Sequence, residues 1–84
     1  MTTVSSHRRR VGRAFGAVLH AIRREKRISQ EQLAALGGFD RTYPSLLERG
    51  LRTPTIVVLF RLSDALSVEP QFLITKTLEL LHPD

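Results

Sequence analysis

Residues 29–50, SQEQLAALGGFDRTYPSLLERG, constrain the fold of this chain more than any other stretch, because they read as two short helices separated by a glycine stop. Ser29 followed by Gln30, Glu31 and Gln32 has the form of a capping box, with acidic Glu31 in the first turn, where the helix dipole favours it. The helix then runs through Leu33, Ala34 and Leu36, and Gly37-Gly38 ends it. Asp40 reads as the cap of the next helix, with Phe39 ahead of it as a staple from the buried side. That helix runs to Arg49 and stops at Gly50. Pro44 stands where its first intrahelical hydrogen bond should form, which weakens the first turn only.

The rest of the chain also reads as helix. Val11, Phe15, Val18, Leu19 and Ile22 recur at helical spacing and predict a first helix over Val11 to Lys26, weakened by Gly12 and Gly16. Residues 1–10 read as a flexible basic arm, although Ser5 and Ser6 offer caps for an earlier start. Beyond the loop Leu51-Arg52-Thr53-Pro54, Thr55 caps a fourth helix with Ile56, Leu59, Phe60, Leu62 and Leu66 as its inward positions. Its Ile56-Val57-Val58 run has poor helix propensity, so packing must hold it. Pro70 opens a fifth helix reaching about Leu81, with Glu69 a weak cap. Five helices without strand or repeat make the expected fold all-α, one domain over 11–84.

Composition narrows the function. With 84 residues there is room for one small core, and without cysteine there is no disulfide framework, thiolate metal site or cysteine nucleophile. Residues 1–27 carry eight basic side chains against Glu25 alone, a net +7, whereas residues 62–84 carry Lys76 against four carboxylates, a net −3. A basic front and an acidic back suit a protein that meets a polyanion with one side, though a merely solvated surface has the same composition. No apolar run approaches the roughly 18 residues of a membrane span, and no signal-peptide core follows Arg10, so a cytoplasmic protein is expected. The basic amphipathic first helix also fits a membrane surface, a reading outweighed by the apolar helices downstream that it can pack against. His7, His20 and His82 are scattered, no phosphate-cradling glycine motif is present, and no nucleophile, base and orienting group fall together. No enzyme activity, metal, cofactor or small-molecule ligand is expected.

Two short helices across a tight turn fit a helix-turn-helix, in which the first helix crosses the phosphate backbone and the second enters the major groove. An ordinary helical hairpin has the same spacing. SQEQLAALGGFDRTYPSLLERGLRTPT followed by LFRLSDALSVEPQFL, however, resembles the Cro and phage-repressor, or XRE-type, helix-turn-helix family over about Phe15 to Leu73. The resemblance implies a compact domain of the lambda-repressor kind that binds double-stranded DNA. It places Gln30 against a phosphate, Arg41 and Thr42 at the front of the recognition helix facing bases, Tyr43 and Ser45 within reach of groove or backbone, and Leu47 in the core. It also pairs Arg23 of the first helix with Glu48, as a scaffold tie between the recognition helix and the rest.

Where the sequence departs from the family, alternatives stand. Pro44 takes a position where an inward-facing apolar residue such as isoleucine is usual, and residues 40–43 form a tightened or an extended entry turn. Leu46 takes a position that often carries a polar base reader; it reads a thymine methyl or packs at the domain surface. Arg41 meets a guanine, a phosphate or solvent. Arg52 suits a phosphate, Arg49 suits DNA or its own helix terminus, and Arg8, Arg9 and Arg10 form either a DNA-contacting arm or an inert tail. One such unit reads few base pairs, so a homodimer on a two-fold symmetric operator is expected, with Phe72, Ile74, Leu78 and Leu81 as its interface or as the lid of the monomer core. The competing function is a protein-binding module, antitoxin or adaptor, on the same scaffold.

Overall fold

The computed structural model describes residues 4–83 and consists of five helices: α1 (Val4–Glu25), α2 (Gln30–Gly37), α3 (Tyr43–Glu48), α4 (Ile56–Leu66) and α5 (Pro70–Leu81). Helix α1 packs on α5 and α3, α2 on α4 and α3, and α4 on α5. No helix among the described residues is long and apolar enough to cross a membrane. The core is built from Phe15, Val18, Leu19 and Ile22 of α1, Leu33 of α2, Leu47 of α3, Leu59, Leu62 and Leu66 of α4, and Leu73 of α5. Each fully buried leucine contributes about 2 kcal/mol relative to exposure, so all five helices are held by one shared cluster.

Local chemistry sets the ends of the elements. Ser29 and Gln32 close the expected capping box, with Gln32 N donating to Ser29 Oγ at 3.0 Å and Ser29 N to Gln32 Oε1 at 2.8 Å. Thr55 caps α4 by accepting from Val58 N at 3.1 Å. Each of the first four helices ends in a left-handed residue, at Arg27, Gly38, Gly50 and Ser67. The amide one residue further on reaches back to the carbonyl five residues earlier: Ile28 to Arg23, Phe39 to Ala34, Leu51 to Leu46 and Val68 to Ser63, at 2.8–3.1 Å. These closures keep the connections short.

Four expectations are corrected. Helix α1 starts at Val4 instead of Val11, so Arg8, Arg9 and Arg10 lie in a helix and not in a flexible arm, and Ser5 and Ser6 are positions within that helix rather than ahead of it. Nothing in Val4 to Arg10 breaks a helix, and an already nucleated helix extends at little cost. The stretch lacks apolar periodicity because it packs on no core. The remainder of the expected arm, residues 1–3, lies outside the described residues.

Asp40 does not cap α3. Its carboxylate accepts from Thr42 N and Oγ1, and its carbonyl from Tyr43 N, which makes a tight turn. Thr42 takes the cap position without a side-chain hydrogen bond. Proline explains the shift: a helix capped at Asp40 needs a bond from the nitrogen of residue 44, whereas one capped at Thr42 puts Pro44 among the amides that have no intrahelical partner. The first ladder bond then runs from Leu46 N to Thr42 O. Pro44 itself is fully buried, as an inward position requires.

Phe39 therefore does not precede the cap as a staple; it closes the turn after α2 and lies against Tyr43, ring centroids 5.4 Å apart. On α4, Ile56 and Phe60 are exposed rather than inward. The buried stripe is Leu59, Leu62, Ser63 and Leu66, an uninterrupted helical spacing in which one member is polar. Ser63 tolerates burial because its hydroxyl donates to Phe60 O at 2.8 Å.

Candidate nucleic-acid interface

The α2-turn-α3 unit is fixed to α1 through one carboxylate. Glu48, with a side chain 5% exposed, accepts from Arg23 Nε at 2.5 Å through Oε2, and from Arg23 Nη2 and Gln30 Nε2, both at 3.0 Å, through Oε1. His20 Nδ1 lies 2.8 Å from the same Oε1. Arg23 also donates from Nη1 to Ile28 O at 2.8 Å, so one guanidinium joins the end of α1 to the end of α3. Burial pushes the Glu48 pKa up, but hydrogen bonds from Arg23, His20 and Gln30 and the nearby guanidinium charge outweigh it and hold the carboxyl below its ordinary value.

Glycine permits this closeness. A Cβ at Gly16 would stand 2.4 Å from Leu47 O and 2.6 Å from Glu48 O, so the backbone of α1 touches the last turn of α3 directly. On the other side, Arg61 of α4 donates to Gly37 O and Gly38 O at 2.6–3.1 Å, and its guanidinium lies 4.7 Å from the Phe39 ring centroid. The helix pair is thus clamped from α1 at one end and from α4 at the other.

The clamped unit presents Arg41 and Thr42 exposed, at the turn leading into α3. Asp40 beside them has its carboxyl pKa lowered by the hydrogen bonds from Thr42, side chain first and then backbone, with a smaller contribution from Arg41. Ser45 and Leu46 are half-buried, as is Tyr43, whose ring is partly occupied by Phe39 and the core. Leu47 is fully buried, as the resemblance implies. Arg49 and Arg52 are exposed just past α3, and neither pairs with a carboxylate among the described residues. Gln30 stands at the first position of α2, but its amide is engaged, with one of its two N–H groups on Glu48.

Phe72, Ile74 and Leu78 lie exposed on α5, and Leu81 is half-buried, away from the helix-turn-helix. Leu73, between them, is the residue that closes the monomer core.

His20 and Arg61 belong to the supporting framework and are missing from the residues expected at the site. His20 carries no motif of its own, and Arg61 interrupts an apolar run. The spacing of His20 three residues before Arg23, on the same helix face, is the one signal that could have found the first.

The helix-turn-helix family model matches residues 19–73. An uncharacterised HTH-type transcriptional regulator, y4dJ of Sinorhizobium fredii, is 44% identical over 62 residues, covering 74% of this chain and 80% of the relative. Among solved structures, the restriction-modification controller protein C.AhdI from Aeromonas hydrophila superposes with a TM-score of 0.71 at 43% identity, over 73% of this chain and 92% of the controller. The controller C.Esp1396I, crystallised as a tetramer with its natural 35 base-pair operator, superposes with a TM-score of 0.70 at 35% identity, over 81% of this chain and 95% of its own. With the capping box, the clamped helix pair and the Arg23–Glu48 tie all in their places, the chain belongs to the helix-turn-helix family of transcriptional regulators, of the XRE type.

Proposed function

We propose that the protein is a sequence-specific transcriptional regulator that binds double-stranded DNA as a homodimer on a two-fold symmetric operator. The observation that carries this reading is the exposed edge made by Arg41, Thr42, Arg49 and Arg52, whose three arginines form no ion pair among the described residues, on a helix pair clamped at both ends. Side chains on such an edge reach DNA without reordering the backbone. Arg41 is the base reader, with two donors for guanine O6 and N7, supported by Thr42 and Ser45. Leu46 supplies apolar contact to a thymine methyl, the Tyr43 hydroxyl is left for a groove or backbone contact, and Arg49, Arg52 and the second N–H of Gln30 take phosphates. Similarity to controller proteins, one of which holds its operator, supports the same reading.

Exposed Ile74 and Leu78 on α5, with Ile56 and Phe60 of α4 nearby, support the homodimer through a self-complementary apolar face. Selection of bound sequences from a randomised duplex pool at about 150 mM salt, where non-specific contacts are weak, tests the proposal. An enriched motif with two-fold symmetry is expected. No enrichment by the folded protein would shift the function to protein binding on an inherited scaffold.

A further inference from the structure

The N-terminal extension of α1 is not an appendage pointing away from the domain. It brings Arg8 and Arg9 to the loop that follows α3, where they line a cleft of about 510 Å³ with Gly50, Leu51, Arg52 and Thr53. No carboxylate lines this cleft, and none of its three arginines pairs with one among the described residues. Their placement is rigid. Gly12 lies under Thr53 and Gly50, Arg13 lies against Gly50, and Gly16 lies against the carbonyls of Leu47 and Glu48, so α1 is in close contact with the end of α3 and the loop beyond it from Gly12 to Gly16, a little over one turn.

The same segment is electrostatically unrelieved. Arg9 and Arg13 are four residues apart and Arg10 and Arg13 three apart on one helix, α1 has no acidic residue in its first turn, and its first acidic residue is Glu25. Like charges at these spacings oppose the helix, and an external anion relieves them. An extended arm would thread its side chains into a groove, whereas guanidinium groups fixed beside a loop meet the outer face of a duplex, where phosphates lie.

We infer that Arg8, Arg9 and Arg52 form a preformed phosphodiester cradle that grips the DNA backbone beside the groove entered by α3 and lengthens the footprint of each protomer. The cradle rests on the duplex-binding reading above and adds sequence-independent affinity to it. Helical order set before binding spares the entropy that a disordered arm would lose.

The test is the salt dependence of binding to a mixed-sequence duplex, followed from about 50 to 200 mM, where each neutralised phosphate contributes about −0.9 to the log–log slope. R8Q/R9Q is expected to flatten the slope by roughly 1 to 2, and R52Q, which lies outside any helix and cannot unwind α1, by roughly 1. R24Q/K26Q removes the same charge at the far end of α1 and is expected to change the slope much less. The motif selected from a random pool should be the same for R8Q/R9Q as for the unaltered protein. An unchanged slope in R8Q/R9Q and R52Q, or an equal change in R24Q/K26Q, would overturn the cradle while leaving base reading by α3 intact. An unaltered protein with no salt-dependent duplex binding would overturn both.

Discussion

Arg23 and Glu48, 25 residues apart in sequence, meet through two parallel hydrogen bonds, Nε to Oε2 at 2.5 Å and Nη2 to Oε1 at 3.0 Å. Bidentate geometry makes this pair directional as well as attractive. Because Arg23 also holds Ile28 O and Glu48 also holds Gln30, the pair sets the positions of α1, α2 and α3 together. Removing the carboxylate leaves a guanidinium 8% exposed without its partner. Glu48→Ala is therefore expected to lower stability by about 3 kcal/mol and weaken DNA binding with it; an unchanged melting temperature would show that the tie is ornamental.

The same carboxylate sets a pH dependence. Its folded pKa lies below its ordinary value, so the unfolded chain takes up the proton first as pH falls. The stabilisation is fully present above the ordinary value of 4.5 and is lost as pH drops through the lower folded value. Melting temperature measured between about pH 6 and pH 3 should fall more steeply for the unaltered protein than for Glu48→Gln, which has no proton to take up at this position.

Gly16 should not tolerate alanine. In a free helix the change would gain about 1 kcal/mol of propensity, but here the new methyl would stand 2.4 Å from Leu47 O, a backbone atom that cannot swing aside. Separation of α1 from α3 is expected to cost about 2 kcal/mol net, with Arg23 drawn away from Glu48. Chemical denaturation of Gly16→Ala gives the sign directly, and a stabilised variant would contradict the close approach.

Ser67 closes α4 with φ 58°, a conformation that L side chains adopt at a cost. It is exposed, so little packing is lost on substitution. Ser67→Gly should stabilise the domain by about 0.5 kcal/mol, the relief of left-handed strain exceeding the extra entropy of an unfolded glycine. A thermal melt that moves downward would mean that the hydroxyl contributes more than the strain.

Variants at Arg41 and Leu46 test the proposed base reading separately from backbone contact. Arg41→Gln should reduce discrimination at one base pair by about 1–3 kcal/mol, and Leu46→Gln should change the preferred base at another. Arg49→Gln should instead weaken all sequences alike. These patterns are read from selected motifs and competition binding, and a Leu46→Gln motif identical to that of the unaltered protein would remove the thymine contact from the scheme.

Most of the punctuation of the chain is legible in its local sequence. The capping box at Ser29–Gln32, the cap at Thr55, the stops at Gly38 and Gly50 and the proline start of α5 all stand where they were read, because caps and breakers act within a few residues of backbone. The Arg23–Glu48 tie was legible only through family resemblance, since nothing local links residues 25 apart.

Packing between helices sets which faces are buried. Ser63 lies inside and Phe60 outside because burial follows the position of Leu59, Leu62 and Leu66 against neighbouring helices, not the polarity of one side chain. The start of α3 at Tyr43, by contrast, follows from local chemistry, because Pro44 has no N–H to supply the bond that a cap at Asp40 requires. The placement of Arg8 and Arg9 beside Arg52 depends on α1 lying in backbone contact with the end of α3, a relation between segments some forty residues apart that no local pattern encodes.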